Sequence, residues 1–255
     1  MKKIIGVLFL LPFLSLQVSA AVADTTIQGV NIQFNYDPSI FPDSWQVAPI
    51  SSTGEKMAED EISRVSPIME KALKKYPVIV LQTNLKAVYF LKSMKFYDVG
   101  FGGTNSNDAV YVTDNGDSMG YTDSYLEQTF HHEFSSVLFR NYPSYLDTVA
   151  WKEVNMPGFN YSDPEAGVGA IRKNQSSQDA DTMLCKNGFF TQYAYSSLEN
   201  DVNTLAQNLF CPGPEFWVIV ESYPKIRKKI SLLIRFYFNI DTVFTEEYFR
   251  KLIPQ

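Results

Sequence analysis

His131-His132-Glu133 is the stretch of this chain whose residue types could carry chemistry. On a helix, His-Glu-x-x-His places two imidazoles one turn apart on one face, where they hold zinc. The Glu between them then activates a zinc-bound water. Here His132 and Glu133 fill the first two places, but the place of the second imidazole is Ser136. His131 and His132 are the only two histidines, so no other segment can supply the missing ring. Adjacent helical side chains point about 100° apart, so His131 and His132 share a metal only if the helix is distorted. Each residue also has a plain structural reading. His131 can satisfy polar contacts beside the core, and Ser135 and Ser136 can bond the carbonyls of the preceding turn.

A metal-type site needs a rigid helix, and the pattern supplies one over Thr122–Arg140. Ser124 with Glu127 three residues on forms a capping box, and Phe130, Phe134, Val137 and Leu138 form an apolar stripe. Upstream, the alternation in Thr26–Tyr36 predicts a strand, and Asp37–Gly54 reads as a loop. Glu55–Tyr76 reads as an amphipathic helix stopped before Pro77. Val78–Gln82, Ala87–Val99 and Asp108–Thr113 are predicted strands, the last two parted by the Gly-rich turn 102–107. That turn lacks the G-x-G-x-x-G and Walker spacings, which argues against phosphate binding. Residues 141–187 form a long irregular loop with Pro143, Pro157 and Pro164. A second helix spans Ser196–Phe210, with Ser196 and Glu199 as a capping box. A further C-terminal helix has Ile226, Ile230, Leu233 and Tyr237 inside and Lys225, Arg227, Lys228 and Lys229 outside. Tyr193 and Tyr195 can be packing aromatics.

Met1–Ala20 reads as a secretory signal: Lys2 and Lys3, an apolar run, then Val18-Ser19-Ala20 as a cleavage site, with cleavage after Ala23 as an alternative. No cysteine follows to make a lipobox, and no later segment is long and apolar enough to cross a bilayer. The expectation is a secreted or periplasmic protein. Residues 21–255 form a single domain, β-rich over 21–120 and helical over 121–255. Hydrophobic content of 45% supports a core, and a net charge of -6 argues against nucleic acid as partner. Cys185 and Cys211 meet an oxidising compartment, where a disulfide between them is the favoured reading and two buried thiols the other.

The order strand, helix, strands, metal-type helix, long loop, second helix resembles a zincin. The local match resembles the family of zinc-binding metallopeptidases found as secreted proteins and lipoproteins of gut bacteria. That family has a T-x-x-H-E-F-x-H helix, a Tyr-Pro element and a later G-F-V-T-x-Y-A-x-x-x-x-x-E-D-x-x-E block. This chain has Thr129-Phe130-His131-His132-Glu133-Phe134, then Tyr142-Pro143, then Gly188-Phe189-Phe190-Thr191-Gln192-Tyr193-Ala194 and Asn200-Asp201. The match spans about 120–210 and implies an α+β, zincin-like fold with a small mixed sheet, a central metal-helix and a C-terminal helical part. It also implies roles: His132 as first zinc ligand, Glu133 as general base, Tyr193 as the oxyanion partner. The second ligand falls on Ser136, the third on Asn200 and the following Glu on Thr204. Two of three ligand positions are therefore neutral oxygen groups. Glu199 lies one residue from the third.

Catalytic zinc takes three strong protein ligands and a water, and without it Glu133 has no activated nucleophile to make. The expectation is a degenerate metallopeptidase-like protein with no resident cofactor, acting as a peptide- or protein-binding module. A peptide could add as a strand to a sheet edge, with Trp151–Tyr161 in the cleft wall. The alternative is an active zinc peptidase with His132, then His131, Asp201 or Glu199, and one of Asp147, Glu153, Asp163 or Glu165 from the loop. A third reading, another hydrolase, has little to stand on. No G-x-S-x-G is present, and a Cys185–His dyad would use a cysteine with a bonding partner at hand.

Overall fold

Two parallel pairings organise the sheet. In a computed structural model that describes residues 24–161 and 167–253, β4 (Ala87–Phe96) runs parallel to both β2 (Val30–Gln33) and β7 (Ala109–Thr113). β1 (Thr25–Ile27) and β6 (Gly103–Asn105) close the two ends antiparallel, giving the order β1-β2-β4-β7-β6. β3 (Thr53–Lys56) and β5 (Val99–Gly100) add antiparallel pairs to β4. β7 is buried along its whole length and β4 along most of it, as central strands in a layered fold require. Residues 1–20, expected from sequence to be a signal, and Asp163 and Glu165 lie outside the described residues.

Helices pack on this sheet. α1 (Glu59–Leu73) and α2 (Val78–Asn84) come first, then α3 (Asp123–Asn141). The connection after α3 holds α4 (Thr148–Val154), α5 (Val168–Arg172) and α6 (Thr182–Cys185). α7 (Leu198–Phe210) lies against α3, and α8 (Phe216–Ser222), α9 (Pro224–Ile240) and α10 (Glu246–Arg250) finish the chain. One apolar core runs from Val30 and Val88 through Phe130 and Phe134 to Leu205, Phe210 and Tyr237. A smaller aromatic cluster of Phe41, Phe96 and Tyr111 covers the other sheet face. The α+β class and mixed sheet agree with the sequence reading. Among the described residues no helix is long and apolar enough to cross a membrane.

Several elements differ from expectation for local reasons. The strand read over Thr26–Tyr36 is a hairpin, because Gln28 and Gly29 both take positive φ (53° and 85°) between the paired Ile27 and Val30. That is the two-residue turn whose twist suits adjoining strands. The segment starting at Val78 is helical: Pro77 is its N-cap, and burial falls on Val80, Leu81 and Asn84, while Ile79 is 65% exposed. An apolar run this short cannot be assigned by periodicity alone. The helix caps are Thr122, accepting from Tyr125 N–H, and Ser197, accepting from Asn200 N–H. Ser124 and Ser196 are not the caps. The long loop carries three short helices.

Cys185 and Cys211 are not bonded to each other. Cys185 is buried on α6 beside the Phe190 carbonyl, whereas Cys211 ends α7 near Ser124 and Glu127. Burial pushes both thiols up to about 11, which keeps them protonated and unreactive. Unfolding the non-reduced protein in the presence of a thiol reagent is expected to release two titratable thiols per chain. A value near zero would establish the bridge.

Candidate functional site

α3 and α7 pack along each other, and β6 borders α3, so the site lies where two helices meet a sheet edge. On α3, His132, Glu133 and Ser136 are buried. From α7 come Asn200, Asn203, Thr204 and Gln207, all buried. With Tyr193, Gly102 and Gly103, the last on β6, His132 and Glu133 line a cleft of about 280 Å³.

His132 is held from both sides. Its Nδ1 lies 2.7 Å from Gln207 Oε1, which makes Nδ1–H the donor, and the Tyr193 ring stacks beside it with centroids 6.1 Å apart. Burial lowers the pKa of this imidazole, against the opposing hydrogen bond to Gln207 and the charge of Glu199, so the neutral form prevails at pH 7. Ser136 Oγ accepts from Asn203 Nδ2 at 2.5 Å. Asn200 Nδ2 donates to Ser196 Oγ at 2.8 Å. The two positions matching the second and third ligands are thus a hydroxyl and a carboxamide already engaged with neighbours. Thr204 is fully buried.

Glu133 faces β6. Asn105 Nδ2 donates to its Oε2 at 2.7 Å. A Cβ on Gly103 would come within 2.7 Å of its Oε1 and 2.6 Å of Thr129 Cγ2, so this close approach needs glycine. Burial pushes the carboxyl up to about 8, only partly opposed by Asn105, and Glu133 is therefore mostly a neutral acid at pH 7. Gly167 (φ 102°) closes over Asn200 and Tyr193 in the same way, its missing Cβ leaving room for the Asn200 amide at 2.7 Å.

Of the other ligands considered from sequence, His131, Asp201, Asp147 and Glu153 are not brought to this cleft, while the charge of Glu199 reaches both His132 and Glu133. His131 faces α1: its Nδ1 lies 2.9 Å from the Tyr76 hydroxyl, and its Nε2 lies 3.8 Å from Glu127. Burial brings its pKa down to about 4. Glu127 in turn binds Lys71 and Lys75; burial raises its carboxyl, but His131 and the two lysines outweigh that and hold it low. Asp201 is paired with Lys229 at 2.6 Å, with both side chains fully buried. Glu199 lies 3.9 Å from Arg140, Asp147 caps α4, and Glu153 is exposed. Trp151 and Tyr161 donate to Asp201 instead of lining the cleft, which corrects their expected place in its wall. Among the described residues, no group of three His, Cys, Asp or Glu side chains converges as metal ligands do.

Asn203, Gln207 and Asn105 were not foreseen from sequence. Asn200, Asn203 and Gln207 stand at i, i+3 and i+7, one helical face. That spacing is present in the sequence beside the apolar stripe of Val202, Leu205 and Leu209, which is the stronger signal of the same helix. The helix is buried all round, so its polar face is interior too.

No protein-family model matches the chain, and no curated protein does. Among solved structures, the fold is similar to a protein from Bacteroides caccae described as "a putative zinc-binding metallo-peptidase". The two are 13% identical, with a TM-score of 0.56, over 88% of this chain and 84% of the other. The fold is thus distantly metallopeptidase-like.

Proposed function

We propose that this chain is a secreted or periplasmic, metallopeptidase-like protein that binds a peptide or protein ligand without hydrolysing it. One observation carries the reading: around His132, the positions that would complete a zinc site are Ser136 and Asn200, each hydrogen-bonded to a partner of its own. Neutral oxygen donors of this kind do not replace an imidazole and a carboxylate, because zinc sites draw on Cys, His and ionised Asp or Glu. With burial holding its carboxyl up at about 8, Glu133 in its protonated form can donate a hydrogen bond to a ligand carbonyl.

The ligand surface is β6. Gly102 O accepts from Thr113 N–H, and Ser106 N–H donates to Ala109 O. In an antiparallel ladder the alternate residues, Gly103 and Asn105, then turn their backbone groups away from β7. An extended segment can pair there as an added strand beside Glu133. The rival reading, an active zinc peptidase with substitute ligands, finds little support, since His131 and Asp201 are engaged with Tyr76 and Lys229, which leaves Glu199, 3.9 Å from Arg140, as the candidate whose charge reaches His132.

Protein purified without chelator is expected to carry far less than one zinc per chain and to leave a mixed peptide library uncut. Stoichiometric zinc lost in His132→Ala, together with hydrolysis lost in Glu133→Gln, would sink the proposal. The converse experiment restores the donors. Ser136→His with Asn200→Glu, and Asn203→Ala to give the imidazole room, is expected to bind one zinc beside His132. A triple variant that folds yet takes no zinc would show that the degenerate positions do not surround a metal-sized space.

A further inference from the structure

A second cavity, of about 900 Å³, lies behind residues 175–178. Gln175 and Ser177 face it, whereas Ser176 and Gln178 face the His132 cleft, so this short segment is a wall between two compartments. Tyr193 N–H pins the wall by donating to Ser177 O at 3.1 Å. The chemistry of the second compartment differs from that of the first.

Its floor is aromatic and held from behind. Tyr195 stacks on the fully buried Phe189, with centroids 4.0 Å apart and planes at 30°. Phe159 packs edge-on against Tyr195 at 5.3 Å. One face of the Tyr195 ring is thereby spent on Phe189, and the half-exposed remainder of this fixed ring borders the cavity. Around it stand Lys173, Gln175, Asp179, Asp181 and Gln192. Asp181 is ordered by accepting from the Met183 and Leu184 N–H groups, and Asp179 by the Ser177 hydroxyl.

This lining selects among ligand classes. Phosphate groups call for clustered cations, and Lys173 stands against two carboxylates. A lipid or apolar side chain calls for an apolar wall, and here carboxylates, carboxamides and an ammonium form the rim. A polyhydroxylated ring fits both parts. Each of its hydroxyls donates and accepts, so carboxylate, carboxamide and ammonium are all usable partners. Its C–H face is apolar and flat enough to lie on an aromatic side chain. The volume falls in the range of small-molecule sites, about 300–1,000 Å³.

We propose that this cavity binds a neutral saccharide of one or two pyranose units, with Tyr195 as the stacking platform and Asp179 among the hydroxyl partners. The proposal is independent of the peptide reading, because neither Tyr195 nor Asp179 lines the His132 cleft.

Saturation-transfer NMR on the purified chain, with glucose, galactose, N-acetylglucosamine and lactose as separate probes, tests it. At least one sugar is expected to receive saturation and to titrate with a dissociation constant in the millimolar range or below. Tyr195→Ala is expected to weaken that sugar about tenfold, in line with the worth of an aromatic contact. Tyr195→Phe keeps the ring that forms the platform and is expected to stay within about twofold. Asp179→Ala, on an exposed loop, is expected to weaken binding without disturbing the fold. Absence of transfer to all four sugars overturns the proposal. So does a sugar bound equally well by the wild type, Tyr195→Ala and Asp179→Ala.

Discussion

Replacing Lys229 by methionine is expected to destabilise the protein by about 3–5 kcal/mol, because it strands a buried carboxylate. Lys229 was read from sequence as one of four solvated cations on the outer face of the last long helix, and that reading is wrong. Its side chain is fully buried, with Nζ 2.6 Å from Asp201 Oδ2 and 2.6 Å from Gly188 O. The ammonium also lies 4.4 Å from the Phe189 ring centroid and 5.3 Å from that of Trp151. Burial lowers the pKa of this ammonium, and the pairing with Asp201 works against that fall. Trp151 Nε1–H and the Tyr161 hydroxyl donate to the same Asp201 oxygen. One lysine therefore ties α9, the turn before Tyr193 and the first turn of α7 to a single carboxylate.

The expected loss corresponds to a drop in melting temperature of roughly 10 °C for a chain of this size, read by thermal unfolding at pH 7. The cause is separable from lost packing. In Lys229→Met with Asp201→Asn, the side chain at 201 is neutral and still accepts from Trp151 and Tyr161. The double variant is expected to recover more than half of the loss, a coupling that a mutant cycle measures directly. A loss equal to the sum of the two single changes would mean that the ion pair is not what holds α7. The site feels the same anchor, because Asp201 adjoins Asn200 on the turn that faces His132.

The limits of the sequence were set by what each signal measures. Periodicity placed α3, α7, β4 and β7 well, because each is long or strongly apolar and meets the core along one stripe or on both faces. It failed at Val78, where five apolar-rich residues fit either a strand or a turn of helix and Pro77 decides, and at Gln28-Gly29, where a turn hides inside an alternating pattern. The candidate site was legible only in part. His132, Glu133, Ser136, Asn200 and Tyr193 were singled out from spacing and from resemblance, and the fold gathers them between α3, α7 and the turn before α7. What engages them was not legible. Gln207 on His132, Asn203 on Ser136 and Asn105 on Glu133 are contacts between segments remote in sequence, and nothing in the composition of a helix says which of its carboxamides meets a neighbour. Lys229 shows the same limit from the other side, since a lysine in a basic run gives no sign of the carboxylate waiting for it across the fold.

Stability is expected to fall as pH rises from about 7 to 8, and Glu133→Gln is expected to remove that fall. The sign follows from where the proton sits. Burial raises the Glu133 carboxyl from the usual 4.5 to about 8, so between those values the folded chain holds a proton that the unfolded chain has released. Protonation then favours the fold. This contribution is fully present below 4.5 and is lost as pH rises through 8, at up to about 1.4 kcal/mol per pH unit within the window. His131 and His132 act oppositely. Burial lowers both imidazoles, His131 to about 4, so toward acid the unfolded chain binds protons that the folded chain refuses. Up to about pH 7 the unfolded imidazoles, with their ordinary value of 6.5, still hold protons and the two tendencies oppose each other; from about 7 to 8 the histidines are mostly neutral in both states and Glu133 sets the larger slope. Melting temperatures taken across this range should decline on the alkaline side in the wild type and stay nearly level in Glu133→Gln, whose carboxamide can still bond Asn105. A wild-type profile that is flat from about 7 to 8 would place an ionised carboxylate in the cleft, and with it a group able to act as a base.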